Sequence, residues 1–215
     1  MLENLRFYSI YLALLAGIVG LFFLYKLPGH KAKSLLGMIF FSVLTEFVGS
    51  NLTRWTGLIN YCVFNIYILV SFTYYLILLK YLLVHRNHKR FADILLIIFV
   101  LFYICDFIFI QKTIFEAFTF SFAFGVIFVL ILSCLYLVEI FNSKKILNFG
   151  KSIFFWFILG VLLFHVPFLP FMLAIKWFLI ESNETIYSLM LFILNLLMYG
   201  CFIIGFIWSE KKYNY

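Results

Sequence analysis

Seven apolar runs, each about as long as a bilayer is thick and divided by short charge-bearing breaks, govern what this 215-residue sequence can fold into. A hydrocarbon core about 30 Å thick takes about 20 helical residues to cross. The runs cover residues 7–25, 34–51, 58–84, 91–110, 115–141, 153–175 and 186–208. Between them lie Lys26-Leu-Pro-Gly-His-Lys31, Asn51-Leu-Thr-Arg-Trp-Thr-Gly57, His85-Arg-Asn-His-Lys-Arg90, Gln111-Lys-Thr113, Asn142-Ser-Lys-Lys145 and Glu181-Ser-Asn-Glu184. Lipid offers no hydrogen bonds to a bare backbone, so runs of this kind span as helices. The predicted fold is all-α: a single seven-transmembrane-helix bundle over residues 1–215, with loops too short to hold an extramembrane domain.

Composition closes the other routes. With 66% hydrophobic and only 12% charged residues, the chain cannot cover a core with a wetted surface. A soluble enzyme, a nucleic-acid-binding domain and a disordered chain are therefore excluded, and no P-loop or GxGxxG is present. Phe occurs 31 times and Tyr 14. Their codons are A/T-rich, as are those of the abundant Ile, Asn and Lys, so the Phe excess carries little functional weight.

The net charge of +7 has a topological reading. Of the 16 Lys and Arg residues, 12 fall in the first, third and fifth breaks and the C-terminal tail, and four (Arg6, Arg54, Lys112, Lys176) on the opposite side. Basic residues concentrate on the cytoplasmic side of a membrane. The alternation places the N-terminus outside and the C-terminus in the cytoplasm, in a multi-pass membrane protein. The N-terminus lacks a basic region ahead of its apolar run, so the first helix is expected to be retained rather than cleaved. Trp55, Trp156, Trp177 and Trp208 are placed as interfacial belt residues. Cys62, Cys105, Cys134 and Cys201 all lie inside spans without CxxC spacing, and packing is their expected role.

Ionisable groups at membrane depth are costly and usually face the bundle interior, so they mark candidate sites. They are Glu46, Asp106, Glu116, Glu139 and His165, with Asn65 and Asn195 adding uncharged polarity. Ser42, Thr45, Glu46, Gly49 and Thr53 form one polar, small-residue stripe on the second helix. At about 1.5 Å per residue, Glu46 lies about 18 Å from Ser34 and Asp106 about 22 Å from Phe91, which sets both between midplane and outer leaflet. Glu46, Asn65, Asp106, His165 and Asn195 are predicted to converge in one outward-facing ligand- or ion-binding pocket. The alternative is that they only join helices by hydrogen bonds worth about 0.6 kcal/mol each. Pro167 and Pro170 follow His165 and are expected to kink its helix. Glu116 is expected as an N-terminal charge on the fifth helix, and Glu139 as an ion-pair partner of Lys144 and Lys145.

The stretch Thr45-Glu46-Phe-Val-Gly49 and the last span with its tail, from Phe192 through Asn195, Tyr199 and Gly205 to Lys212, resemble small seven-helix integral membrane proteins common in the Bacteroidota. The resemblance covers the whole chain. It implies the architecture and an AT-rich source, and no mechanism.

Three functions fit such a chain. The leading one is a sensor- or receptor-type subunit that binds a small ligand or ion from outside and acts through a protein partner or a second copy of itself. It is not a retinal photoreceptor, because no lysine lies at mid-depth in the last span. The second is an ion-conducting or transport-type membrane effector whose carboxylates line a path. The third, a membrane-embedded hydrolase, is disfavoured because one intramembrane His cannot complete a zinc site. No catalytic residue, metal site or cofactor is assigned. The partners expected are the bilayer, a protein and a small ligand or ion, with no nucleic acid.

Overall fold

The computed structural model describes residues 8–173 and 184–214, the side chains of 144–146 and 184–185 excepted. Among the described residues every regular element is helical. In chain order these are α1 (Ser9–Phe22), α2 (His30–Thr56), α3 (Tyr61–Leu82), α4 (Arg86–Cys105), α5 (Thr119–Phe141), α6 (Ile153–Leu173) and α7 (Glu184–Trp208). A π-helical turn, Asp106–Gln111, extends α4. Arg6, Lys176, Trp177 and the break at 181–183 lie outside the described residues.

Six helices are long and apolar enough to cross a membrane; α1, at 14 residues, is shorter. At about 1.5 Å per residue it measures about 21 Å, against a core of about 30 Å. The first apolar run stops being helical before it stops being apolar. Leu27 precedes Pro28, whose ring disfavours helical backbone at that position, and Leu27 is accordingly non-helical at φ −102°, ψ 80°. The three residues before it, Leu24–Lys26, tighten into a 3₁₀ turn.

Two other boundaries move for local reasons. The basic stretch before the fourth run is not a loop: Arg86, Lys89 and Arg90 form the first turns of α4. The fifth run turns helical only at Thr119, because residues 113–118 are held as a turn by side chains described below. In contrast, α6 runs unbroken through Pro167 and Pro170.

The chain divides into two compact units, Met1–Glu46 with Leu147–Tyr215, and Phe47–Ile146, with α2 continuing from one into the other. In the first unit α6 and α7 form the most extensive pair, and α1 packs along α7. Close approach at Gly160 makes the α6–α7 contact: a Cβ there would sit 2.8 Å from the Met198 carbonyl oxygen and 2.8 Å from the Phe202 ring. The Phe157 and Phe202 rings stack at 4.6 Å. In the second unit α3 packs on α4 and α5. Phe72 is its centre, 1% exposed, with Phe99 and Phe122 around it and its ring where a Cβ on Gly125 would lie. Gly57 closes α2 at φ +72°, a left-handed backbone that glycine adopts without steric cost.

Candidate functional site

The polar residues of the spans fall into two groups, one in each unit. In the first unit the contacts fix a register. Gly160 and Phe157 meet Met198 and Phe202, and Gly205 meets Trp156 and Ile153, so α6 and α7 are antiparallel and His165 lies level with Leu194 and Asn195. Gly17 touches Phe40, and Gly20 touches both Leu36 on α2 and Phe206 on α7. Because α1 packs along α7 with their C-terminal ends together, the two run in the same direction. Counting back along α1 places Glu46 at that same level. Glu46, His165 and Asn195 thus share one layer, with His165 and Asn195 buried and Glu46 half-buried.

Within this layer two hydrogen bonds are local. His165 Nδ1 lies 2.8 Å from the Val161 carbonyl oxygen, and Asn195 Nδ2 donates to Leu191 O at 2.9 Å. Ser42 and Thr45, on the predicted stripe of α2, likewise donate to Met38 O and Phe41 O. Each acceptor is the carbonyl four residues back on the same helix, which a short polar side chain reaches without a partner helix. The Glu46 carboxylate is different. It makes no hydrogen bond or ion pair with any described residue. The stripe itself is buried at Ser42, Thr45 and Gly49 and exposed at Thr53.

The second unit holds Asn65 and Asp106, at the end where α4 meets α5. Asn65, buried on the second turn of α3, donates through Nδ2 to Ile114 O (2.9 Å) and Glu116 O (2.7 Å), and its Oδ1 accepts from Phe118 N (3.1 Å). All three side-chain bonds go to the α4–α5 connection. Tyr103 Oη donates to the backbone oxygen of Asn65 at 3.1 Å, and its ring rests on Phe118. Asp106 is fully buried at the start of the π turn. Its Oδ2 accepts from the backbone N and the hydroxyl of Ser121, the third residue of α5. Asp106 therefore caps the N-terminus of α5 from α4, where the helix dipole favours an anion. Its Oδ1 is buried without a hydrogen-bond partner among the described residues. Lys112 ends the π turn in the left-handed region at φ 56°. Glu116 lies in this connection, three residues before α5 begins.

Sequence reading missed the counterpart of this cap at the other end of the same pair. Glu139, near the end of α5, accepts from Val84 N and from His85 N (3.2 Å), ahead of α4, and its Oε1 lies 2.6 Å from His88 Nδ1. The expectation that Glu139 pairs with Lys144 and Lys145 concerns side chains outside those described. Helix ends elsewhere are satisfied the same way. Lys26 Nζ donates to Ile207 O at 2.6 Å at the end of α7. Asn214 Oδ1 accepts from Ile153 N at 2.8 Å, the first amide of α6, while its Nδ2 donates to Lys26 O and Ser209 Oγ. Apart from Asn214 and Ser209, these partners lie 15 to 188 residues apart, and spacing in the sequence gives no sign of them.

Among the described residues no three His, Cys, Asp or Glu side chains gather as a metal centre, and the four cysteines are free thiols. Comparison of the chain with protein-family models, with curated proteins and with solved structures finds no match in any of the three.

Proposed function

We propose that this chain is a multi-pass protein of the bacterial inner membrane, N-terminus outside and C-terminus cytoplasmic, that works as a sensor-type subunit. It takes a small cation, or a ligand carrying an amine, at Glu46 and signals to a partner through the helices of the first unit. The observation that carries this reading is the Glu46 carboxylate: half-buried within a span, unpartnered among the described residues, and level with the buried His165 and Asn195. A carboxylate at that depth calls for a counter-charge or water. His165 and Asn195 supply polarity at the same level. The basic split of the loops supports the orientation.

Asn65 and Asp106 enter this reading as structural members, because their bonds hold the α4–α5 connection and cap α5. Thermal unfolding of the purified protein against a panel of monovalent cations and small amines tests the proposal. At least one is expected to raise the midpoint of the wild type and to lose that effect in Glu46→Gln. A panel without effect, or an effect kept in the variant, would overturn it. Reconstituted vesicles made permeable to monovalent ions by the wild type and not by Glu46→Gln would replace sensing with conduction.

A further inference from the structure

We propose that the start of α4 is a binding site for an anionic phospholipid, with Arg86, Lys89 and Arg90 on its phosphate and an aliphatic stripe of the same helix along its acyl chains. Charge at this end of the second unit does not balance. Its two nearby carboxylates are engaged: Asp93 with Lys80 at 2.5 Å, and Glu139 with the Val84 and His85 amides and His88. Arg86, Lys89 and Arg90 form no ion pair with any described residue. Glu139 already takes the Val84 and His85 amides just ahead of α4. Beside them lies an open depression of about 330 Å³ lined by His85, Arg86, Asn87 and His88.

The second observation concerns what lies below the cations. At 3.6 residues per turn, Arg86, Lys89 and Arg90 occupy a sector about 100° wide. Ile97, Leu101 and Ile104 continue that sector to within about 20° along the helix, and they are 59%, 58% and 47% exposed. Three free cations above an exposed aliphatic track match a ligand with an anionic head and two apolar chains. The track meets bilayer lipid in any case, so the cations discriminate by headgroup, and a zwitterionic lipid leaves their charge unmatched. The guanidinium forks of Arg86 and Arg90 suit a phosphate's paired oxygens.

Native mass spectrometry of the detergent-purified protein, with phosphatidylglycerol and phosphatidylcholine of equal chain length as probes, tests this. The wild type is expected to retain phosphatidylglycerol preferentially. The variant R86Q/K89Q/R90Q is expected to lose that preference by about fivefold per charge, on the order of a hundredfold in all. K31Q/K33Q, which removes exposed charge at the start of α2, keeps it. Should the triple variant not fold, R86Q and R90Q singly serve, each with about a fivefold loss. An equal loss in K31Q/K33Q would show a response to net charge alone and overturn the site. Full competition by inorganic phosphate or glycerol phosphate would reassign it to a soluble anion. No preference for phosphatidylglycerol in the wild type would end the proposal.

Discussion

Ser42, Thr45, His165 and Asn195 each place a polar atom on the carbonyl one turn back in their own helix. Buried polarity of that kind costs little because its partner is built into the same element. Asn65 does the opposite: its three side-chain bonds reach residues 49 to 53 positions away. Two substitutions separate these cases. Asn65→Leu is expected to destabilise strongly, about 1–3 kcal/mol for each buried backbone group left unsatisfied. Asn195→Leu returns a carbonyl to its own helix ladder and is expected to cost under about 1 kcal/mol. Detergent unfolding of the two proteins checks this, and equal losses would contradict it. That these residues sit inside apolar runs is legible in the sequence; which of them bonds locally and which bonds across is not, since asparagine is the same letter in both roles.

Glu210 gives a pH dependence at the same scale. Hydrogen bonds from the Lys151 and Lys212 ammonium groups hold its carboxyl below the usual carboxylate range. A carboxyl lowered in the folded state stabilises fully above its unfolded value of about 4.3, and that contribution is lost as pH falls through the lower folded value. The difference in unfolding midpoint between wild type and Glu210→Gln is therefore expected at pH 7 and to shrink by pH 3. A difference that does not vary with pH would place the effect elsewhere.

At the scale of elements, helix ends are satisfied by distant side chains. Asp106 of α4 caps the start of α5, and Glu139 of α5 binds the amides that lead into α4. Each helix of that antiparallel pair completes the other's beginning. Asp106→Ala, which leaves the Ser121 amide and hydroxyl buried without their acceptor, is expected to cost about 1–3 kcal/mol per group; Asp106→Asn retains an acceptor and is expected to cost less. The helices themselves were legible from their apolar runs, and their ends were not. Thr119 rather than Phe115 begins α5 because Asn65 claims the carbonyls of Ile114 and Glu116. Pro167 and Pro170 do not end α6, which continues through both.

Helix packing offers a paired measurement. At Gly160 an added Cβ meets the Met198 carbonyl, which is backbone and cannot swing aside; at Gly200 it meets nothing within 4 Å. Gly160→Ala is expected to separate α6 from α7 at a cost of about 1–3 kcal/mol, whereas Gly200→Ala is expected to stabilise by about 0.5–1 kcal/mol through reduced backbone entropy. Equal responses would argue against the close α6–α7 approach.

For the whole molecule, six helices fit a multi-pass membrane protein, as the run lengths and scarcity of charge imply. The first run is an apolar helix of 14 described residues, shortened where Pro28 constrains the residue before it. Labelling of single cysteines placed at Lys31, Arg86 and Lys211 is expected to occur from the cytoplasmic side only, and at Arg54 and Lys112 from outside only. Mixed labelling at Arg54 and Lys112 would break the alternation on which the orientation rests. The predicted site residues divide between the two units, a division the sequence could not reveal because α2 is a single uninterrupted helix across the boundary.

The first unit is assembled from both ends of the chain, with the hundred residues 47–146 between its parts. During synthesis at about 5–20 residues per second, α1 waits on the order of 5–20 s for that interval alone before α6 and α7 begin to emerge. Over that time its small-residue face, Gly20 among it, meets lipid and α2 but not Phe206. Completion of this unit is therefore a timed event, set by the ribosome and sealed when Asn214 reaches Lys26 and Ile153.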